Sequence, residues 1–370
     1  MAKGRSQREQ PDLTDLGGEA KAIVSRWIRG VASASRGGGA DVGDYVSQHE
    51  WEIQVAGLNL GELRLEGLAR LRVRNGEWHD LEQRHLHGLI ALSIKLGSLC
   101  ATRWRPNRRR GNTIDALLEL HGQAVQVADE VAALLCDGRP VGALARWRTL
   151  YELSIVMRFL AGASDAAARC YKASLVAEQW RYLAEFEAYL DETDDSWGIA
   201  ERQRAQIDPL RRRLRPAYER AVRTYGRSVR DSYGWAQEDL DQRRVTFKNL
   251  VEAVDGVGEP EWMDYQSATQ HVHALRSSSV LTQGRSWRSQ GPLFAPLPQV
   301  PQRVYVLSAR TLRSANDVLA GALHGVAPEL PQIAYFAEVC SMMALDVETE
   351  AFRGGASLHA GYLDAALGLL

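Results

Sequence analysis

The sequence predicts an all-α fold, a multi-helix bundle, with a small N-terminal element in which short strands are allowed. Three observations carry this. From Asp80 onward, apolar residues recur at three-to-four spacing in one segment after another. The breaks between those segments are helix stops: Asp137-Gly138-Arg139-Pro140, Gly162, Asp191-Glu192-Thr193-Asp194-Asp195, Gly256 with Gly258, and the proline-rich stretch up to Pro301. Partial alternation of the kind strands need is confined to Trp51–Val73.

Four regions are expected. Residues 1–19 form a polar, disordered tail, and residues 20–78 a small N-terminal element. Ala20–Val31 has Ile23, Val24, Trp27 and Ile28 on one side of a short helix. The run Gly37-Gly38-Gly39 lacks the downstream Gly-Lys-Ser/Thr of a phosphate-cradling loop and reads as a linker. In Trp51–Val73, Leu58, Leu60, Leu63, Leu65, Leu68, Leu71 and Val73 fit short strands or a helix, and Asn75-Gly76 ends the segment with a turn.

Residues 80–350 are the helical domain. Leu81–Leu99 presents Leu86, Leu89, Ile90, Ile94 and Leu96. After a basic loop, Asn112 or Thr113 is placed to cap a helix that runs to Cys136. A third helix covers Val141–Leu160. Ser164 caps a fourth, which reaches Leu190. Glu201–Tyr225 is an arginine-rich exposed helix that Pro209 and Pro216 should interrupt. Trp235 anchors the mixed stretch that follows, and Val245–Val254 is a short helix. Pro260 suits the first turn of the next helix. Gln283–Pro301 is a long loop, Gln302–Leu323 and Gln332–Leu345 are the last helices, and residues 351–370 are a tail.

Composition narrows the function classes. A net charge of −1 gives no global field toward nucleic acid or membrane. No stretch reaches the roughly 18 consecutive apolar residues of a membrane span, and Met1–Gln10 has no apolar signal core behind it. Cys100, Cys136, Cys170 and Cys340 are widely spaced without a CxxC pair, so neither zinc nor any other metal site is expected, and no cofactor. Four free thiols fit a reducing cytoplasm. Lysine occurs only at five positions, the usage of a GC-rich bacterial genome.

Two polar stripes stand out against the apolar background. Arg148 and Glu152 lie four apart on the third helix, between Leu150, Leu153, Ile155 and Val156. Tyr265, Thr269 and His273 repeat at the same spacing on the helix that begins at Pro260. Polar groups on apolar faces need partners, so the stripes are expected to meet within hydrogen-bond reach. The result would be either a structural clamp or a functional site. His271 and His273, two apart, point to different faces and do not form a chelating pair.

The run Gly142–Leu153, with its Arg-x-x-x-Glu, resembles the opening motif of a bacterial helical family known only as a domain of unknown function. A later Tyr-x-x-x-Ser-x-x-x-His helix in that family is matched by Tyr265, Thr269 and His273, with threonine in place of serine. The resemblance spans about Leu81–Ser279. It implies an all-helical fold and carries no activity. A looser likeness is to the helical nuclease domains of prokaryotic defence and toxin systems, in which arginine and histidine follow closely along one segment. This chain lacks that compact order.

Two functional expectations follow. The first is a binding or interaction module built on the inter-helix polar site. The alternative is a metal-independent ribonuclease or toxin-like effector. There His273 would move a proton at the ribose hydroxyl or the leaving oxygen, and Arg148 would stabilise the phosphorane charge. Glu152 would orient one of them, with Tyr265 and Thr269 as supporting donors. Arg105, Arg108, Arg109 and Arg110, interleaved with Trp104, would be the nucleic-acid surface of that reading, and Arg211, Arg212, Arg213 and Arg215 a second basic segment. The expected partner is RNA or protein, and no membrane.

Overall fold

A computed structural model describes residues 81–104, 111–192, 199–255, 260–272, 299–326 and 331–353. The expected N-terminal tail and element, the basic loop Arg105–Arg110, His273 and most of the loop before Pro301 lie outside the described residues. Those described are helical, with no strand among them. In chain order the helices are α1 (Leu81–Arg103), α2 (Gly111–Cys136), α3 (Pro140–Gly162), α4 (Asp165–Glu192) and α5 (Ile199–Tyr225). After two 3-10 turns at Arg227–Arg230 and Gly234–Ala236 come α6 (Gln237–Leu240), α7 (Phe247–Asp255), α8 (Pro260–Val272), α9 (Gln299–Val326) and α10 (Pro331–Arg353). The chain divides into two compact units. Of the described residues, the first takes Leu81–Trp104, His121–Ser154 and those from Pro260 to Arg353; the second takes Gly111–Leu120 and those from Ile155 to Asp255.

In the first unit α1, α9 and α10 pack on one another. The apolar spacing read from α1 is the reason: Leu86, Leu89, Ile90 and Leu96 are fully buried. Each removes its side chain from water at a gain of roughly 2 kcal/mol. Ile94, expected on that face, is 40% exposed, and Leu92 and Ser93 are buried instead. A helix advances 100° per residue, so the buried stripe drifts past position 94. α9 is buried nearly all round between Val304 and Ala309, as suits a central helix. Its polar residues are therefore obliged to find partners. Asn316 Oδ1 accepts from the His121 Nε2–H at 2.8 Å and its amide N–H donates to the Ser93 hydroxyl at 2.9 Å, while Ser93 donates to the Leu89 carbonyl. Gly97 makes room for this network, since a Cβ there would sit 2.9 Å from His121 Nδ1.

The second unit is built on the α4–α5 pair. Trp180 stacks on Tyr218 with ring centroids 5.3 Å apart. Trp235 is 3% exposed and meets Phe159 and Tyr171 edge-on. It anchors its loop as expected, donating Nε1–H to the Ser232 carbonyl. Gly234 beside it is demanded by space: any Cβ would lie 1.8 Å from the Ser228 carbonyl oxygen.

Two local expectations are corrected. The helix Ile199–Tyr225 is continuous through Pro209 and Pro216. The prolines are seven apart and both exposed, so the carbonyls they orphan, on Ala205 and Arg212, face water on one side. Asn112 and Thr113 do not cap α2, which already begins at Gly111. Both instead donate to Asp165, in the first turn of α4, so that carboxylate satisfies the free Thr113 N–H from outside the helix. Burial raises the Asp165 pKa, but these bonds and Arg169 outweigh it and hold the carboxyl below its usual value. Elsewhere the capping pattern stands: the Ser164 hydroxyl accepts from Ala167 N–H at the start of α4.

Candidate functional site

The described residues of the two polar stripes lie in the first unit, Arg148 and Glu152 on α3 and Tyr265 and Thr269 on α8. Arg148 donates Nε–H to Glu152 Oε1 at 3.0 Å along α3. The same oxygen accepts the Tyr265 hydroxyl of α8 at 2.8 Å. The Arg148 guanidinium also lies over the Tyr265 ring, 5.3 Å from its centroid. Three of the expected residues are thereby brought together. Thr269 is not: its hydroxyl donates to the Tyr265 backbone carbonyl one turn earlier, at 2.8 Å. A threonine on a helix has this local acceptor one turn back.

The trio is set by its neighbours. Trp147 is fully buried beside Arg148 and donates its indole N–H to Thr311 of α9 at 3.0 Å. This bond fixes the rotation of α3, and with it the direction in which Arg148 and Glu152 leave the helix. Tyr265 is held between Tyr151, 5.6 Å away, and Trp262, stacked at 5.2 Å. α8 is also tied to α9. Arg303 donates Nε–H to Asp264 at 2.6 Å, and Arg310 pairs with Glu261 and with Glu348 of α10. Position 264 meets 303 and position 261 meets 310, so α8 and α9 run antiparallel.

The Arg303–Asp264 pair has side chains only 15% and 6% exposed, and it was not legible as a site. Its partners are 39 residues apart. Asp264 stands alone beside Tyr265 and Arg303 follows Pro301, so no periodic signal links them. Nearly desolvated charges of this kind are expensive unless matched.

Electrostatically the trio is locked. Burial, then the hydrogen bond to Glu152 and the charge of Glu152, push the Tyr265 phenol up to about 12, against a smaller downward pull from Arg148. Burial lowers the Arg148 pKa, but the Tyr265 hydrogen bond and the Glu152 charge more than offset it, so the pKa is raised. At neutral pH the arrangement is a cation, a carboxylate and a neutral phenol. Arg148 and Glu152 keep 24% and 28% of their side-chain surface in water. Such a group can present fixed charge to a partner.

Among the described residues no cluster of three or more His, Cys, Asp or Glu side chains could hold a metal ion. No described helix is long and apolar enough to cross a membrane. All four cysteines are free.

Residues 115–282 match the model of a family of unknown function, DUF5677. The matched stretch contains both polar stripes and begins later than the resemblance read from the motifs. No curated protein and no solved structure matches the chain.

Proposed function

We propose, since the matched family carries no activity to transfer, that this chain is a binding module that engages a protein partner through the α3–α8 polar site. One observation supports this above the rest. Glu152 is held by two donors, Arg148 and Tyr265, while Arg148 and Glu152 each keep about a quarter of their surface in water. A charge pair ordered before binding loses little side-chain entropy when a partner's own charges dock on it. The matching partner surface carries a carboxylate for the open edge of Arg148 and a cation for Glu152.

The ribonuclease alternative needs Arg148 released toward a phosphate, and it needs His273. Arg148 is engaged by Glu152 and Tyr265. A single preparation separates the two readings. Purified protein is incubated with RNA in EDTA, and tagged wild type and Arg148→Gln are compared for co-purifying protein by quantitative mass spectrometry. The binding reading expects intact RNA and a partner lost from Arg148→Gln, with a melting temperature that falls by no more than about a few degrees. Cleavage of RNA that disappears in His273→Ala would overturn it in favour of the ribonuclease.

A further inference from the structure

The second unit contains an open cavity of about 800 Å³ between α4, the turn after Arg230 and the segment leading into α7. Four arginines line it, Arg181, Arg230, Arg243 and Arg244, against one acid, Asp231. All four are exposed, and among the described residues none stands in an ion pair. On α5, Arg212, Arg213, Arg220 and Arg223 likewise stand in no ion pair among the described residues, but the four of the lining share one cavity, while other arginines of the unit are paired. Arg158 pairs with Asp255, Arg204 with Asp191, Arg211 with Glu187 and Arg215 with Glu219. Arg181 spends one N–H on the Arg230 carbonyl, and the Arg230 guanidinium lies on the Tyr218 ring, 5.4 Å from its centroid. Both interactions orient the guanidiniums and leave their positive charge uncompensated.

Uncompensated like charges around one cavity repel, and a bound anion relieves them. Guanidinium forks match phosphate oxygens two at a time. The aromatic lining is the half-buried Tyr233, whose ring is backed by the buried Phe247 at a centroid distance of 6.0 Å. A flat aromatic ligand finds a stacking surface there. The volume lies within the range of small-molecule sites, roughly 300–1,000 Å³.

We propose that this cavity binds a nucleoside phosphate, the phosphate on the arginines and the base against Tyr233. The site shares no residue with the α3–α8 pair, so it goes beyond the binding function assigned there and stands or falls separately. The nucleotide is either free or one unit of a single strand. A second feature favours the strand. Tyr182, next to Arg181, is 68% exposed, and its ring is followed along α4 by Phe186 at 6.5 Å and by Tyr189, 61% exposed, a further 6.3 Å on. Positions 182, 186 and 189 share one helix face. A row of rings left in water beside a basic cavity is what successive unpaired bases stack on.

The test uses the full chain in fluorescence anisotropy with a fluorescein-labelled, mixed-sequence 12-nucleotide RNA, and in calorimetry with adenosine monophosphate. At 50 mM salt the RNA is expected to bind. Arg243→Gln combined with Arg244→Gln should weaken it at least tenfold and flatten the log–log salt slope by about 0.7 for each phosphate no longer neutralised. The melting temperature should stay put, because both side chains are exposed. Tyr182→Ala should weaken the RNA and leave the mononucleotide unaffected. Equal binding of both ligands, indifferent to Tyr182→Ala but abolished in the arginine double variant, supports the site with a free nucleotide as its occupant. Three results overturn the proposal: no binding of either ligand at millimolar concentration, binding that survives the double variant, or inorganic phosphate competing as well as the nucleotide.

Discussion

Tyr265 donates its hydroxyl to Glu152 over 2.8 Å, joining α8 to α3 across 113 residues of sequence. Glu152 is already bonded to Arg148 on its own helix, so a local ion pair worth a few tenths of a kcal/mol in water becomes part of an inter-helix link. Removing the hydroxyl alone tests what the link contributes. Tyr265→Phe keeps the ring against Trp262 and Tyr151 and loses the bond to a carboxylate, a cost of about 2 kcal/mol. Urea melts should show that drop with an unchanged slope. In a double-mutant cycle, Tyr265→Phe with Glu152→Gln should couple by at least about 0.5 kcal/mol. Additive effects would mean the two residues contribute independently.

The buried network on α9 is costlier to break. Asn316 is fully buried and serves both His121 and Ser93. Asn316→Ala removes both bonds and strands the His121 Nε2–H away from water, at about 1–3 kcal/mol, while Ser93 keeps its bond to the Leu89 carbonyl. Thermal melting should fall by several degrees, more than for Tyr265→Phe. A smaller loss than that of the partly exposed tyrosine would show that water reaches the cavity.

Acid should destabilise the protein before its carboxylates titrate. Burial lowers the pKa of His121 below 6.5, only partly opposed by its bond to Asn316. Burial and the neighbouring Arg84 lower that of His85, against a raising effect from Glu350. Below pH 6.5 the unfolded chain binds protons at these positions that the folded chain does not. Stability is therefore present above 6.5, and is lost as pH falls through that value, until the folded histidines are protonated as well. The melting temperature should be lower at pH 5.5 than at pH 7.5, and His121→Gln should flatten the difference. An identical slope in the variant would assign the effect elsewhere.

Gly234 offers a test within the second unit alone. A Cβ there would strike the Ser228 carbonyl oxygen, so Gly234→Ala must displace the turn that positions Trp235. The expected loss is about 1–3 kcal/mol, where a glycine in ordinary backbone would gain slightly from alanine. Near-ultraviolet circular dichroism should report Trp235 losing its fixed environment between Phe159 and Tyr171. An unperturbed spectrum with wild-type melting would contradict the close approach.

Much of the fold was legible in the chain. Three-to-four spacing located the longer helices from α1 to α10, because burying one face of a helix requires that period, and missed only the one-turn α6 in the stretch read as mixed. Glycine and proline placed most of their ends. The misreadings came where a rule of one helix met its surroundings. Pro209 and Pro216 break no helix because water takes up the freed carbonyls, and Asn112 and Thr113 cap nothing because Asp165 reaches them from α4. Of the site, the pairing of Tyr265 with Glu152 was foreseeable from two stripes in need of partners. The solitary turn taken by Thr269 was not, since a hydroxyl four residues from a carbonyl has a local alternative.

By itself the sequence determined which segments are helical and which polar residues sit on apolar faces, because both are matters of local period and residue type. Only the tertiary structure decided which of those residues meet. Asp264 found Arg303, Trp147 found Thr311, and four arginines gathered around one cavity in the second unit. Those pairings depend on the rotation and direction of packed helices. That geometry is set by the sum of many side-chain interactions across the core, and no spacing within a single helix records it.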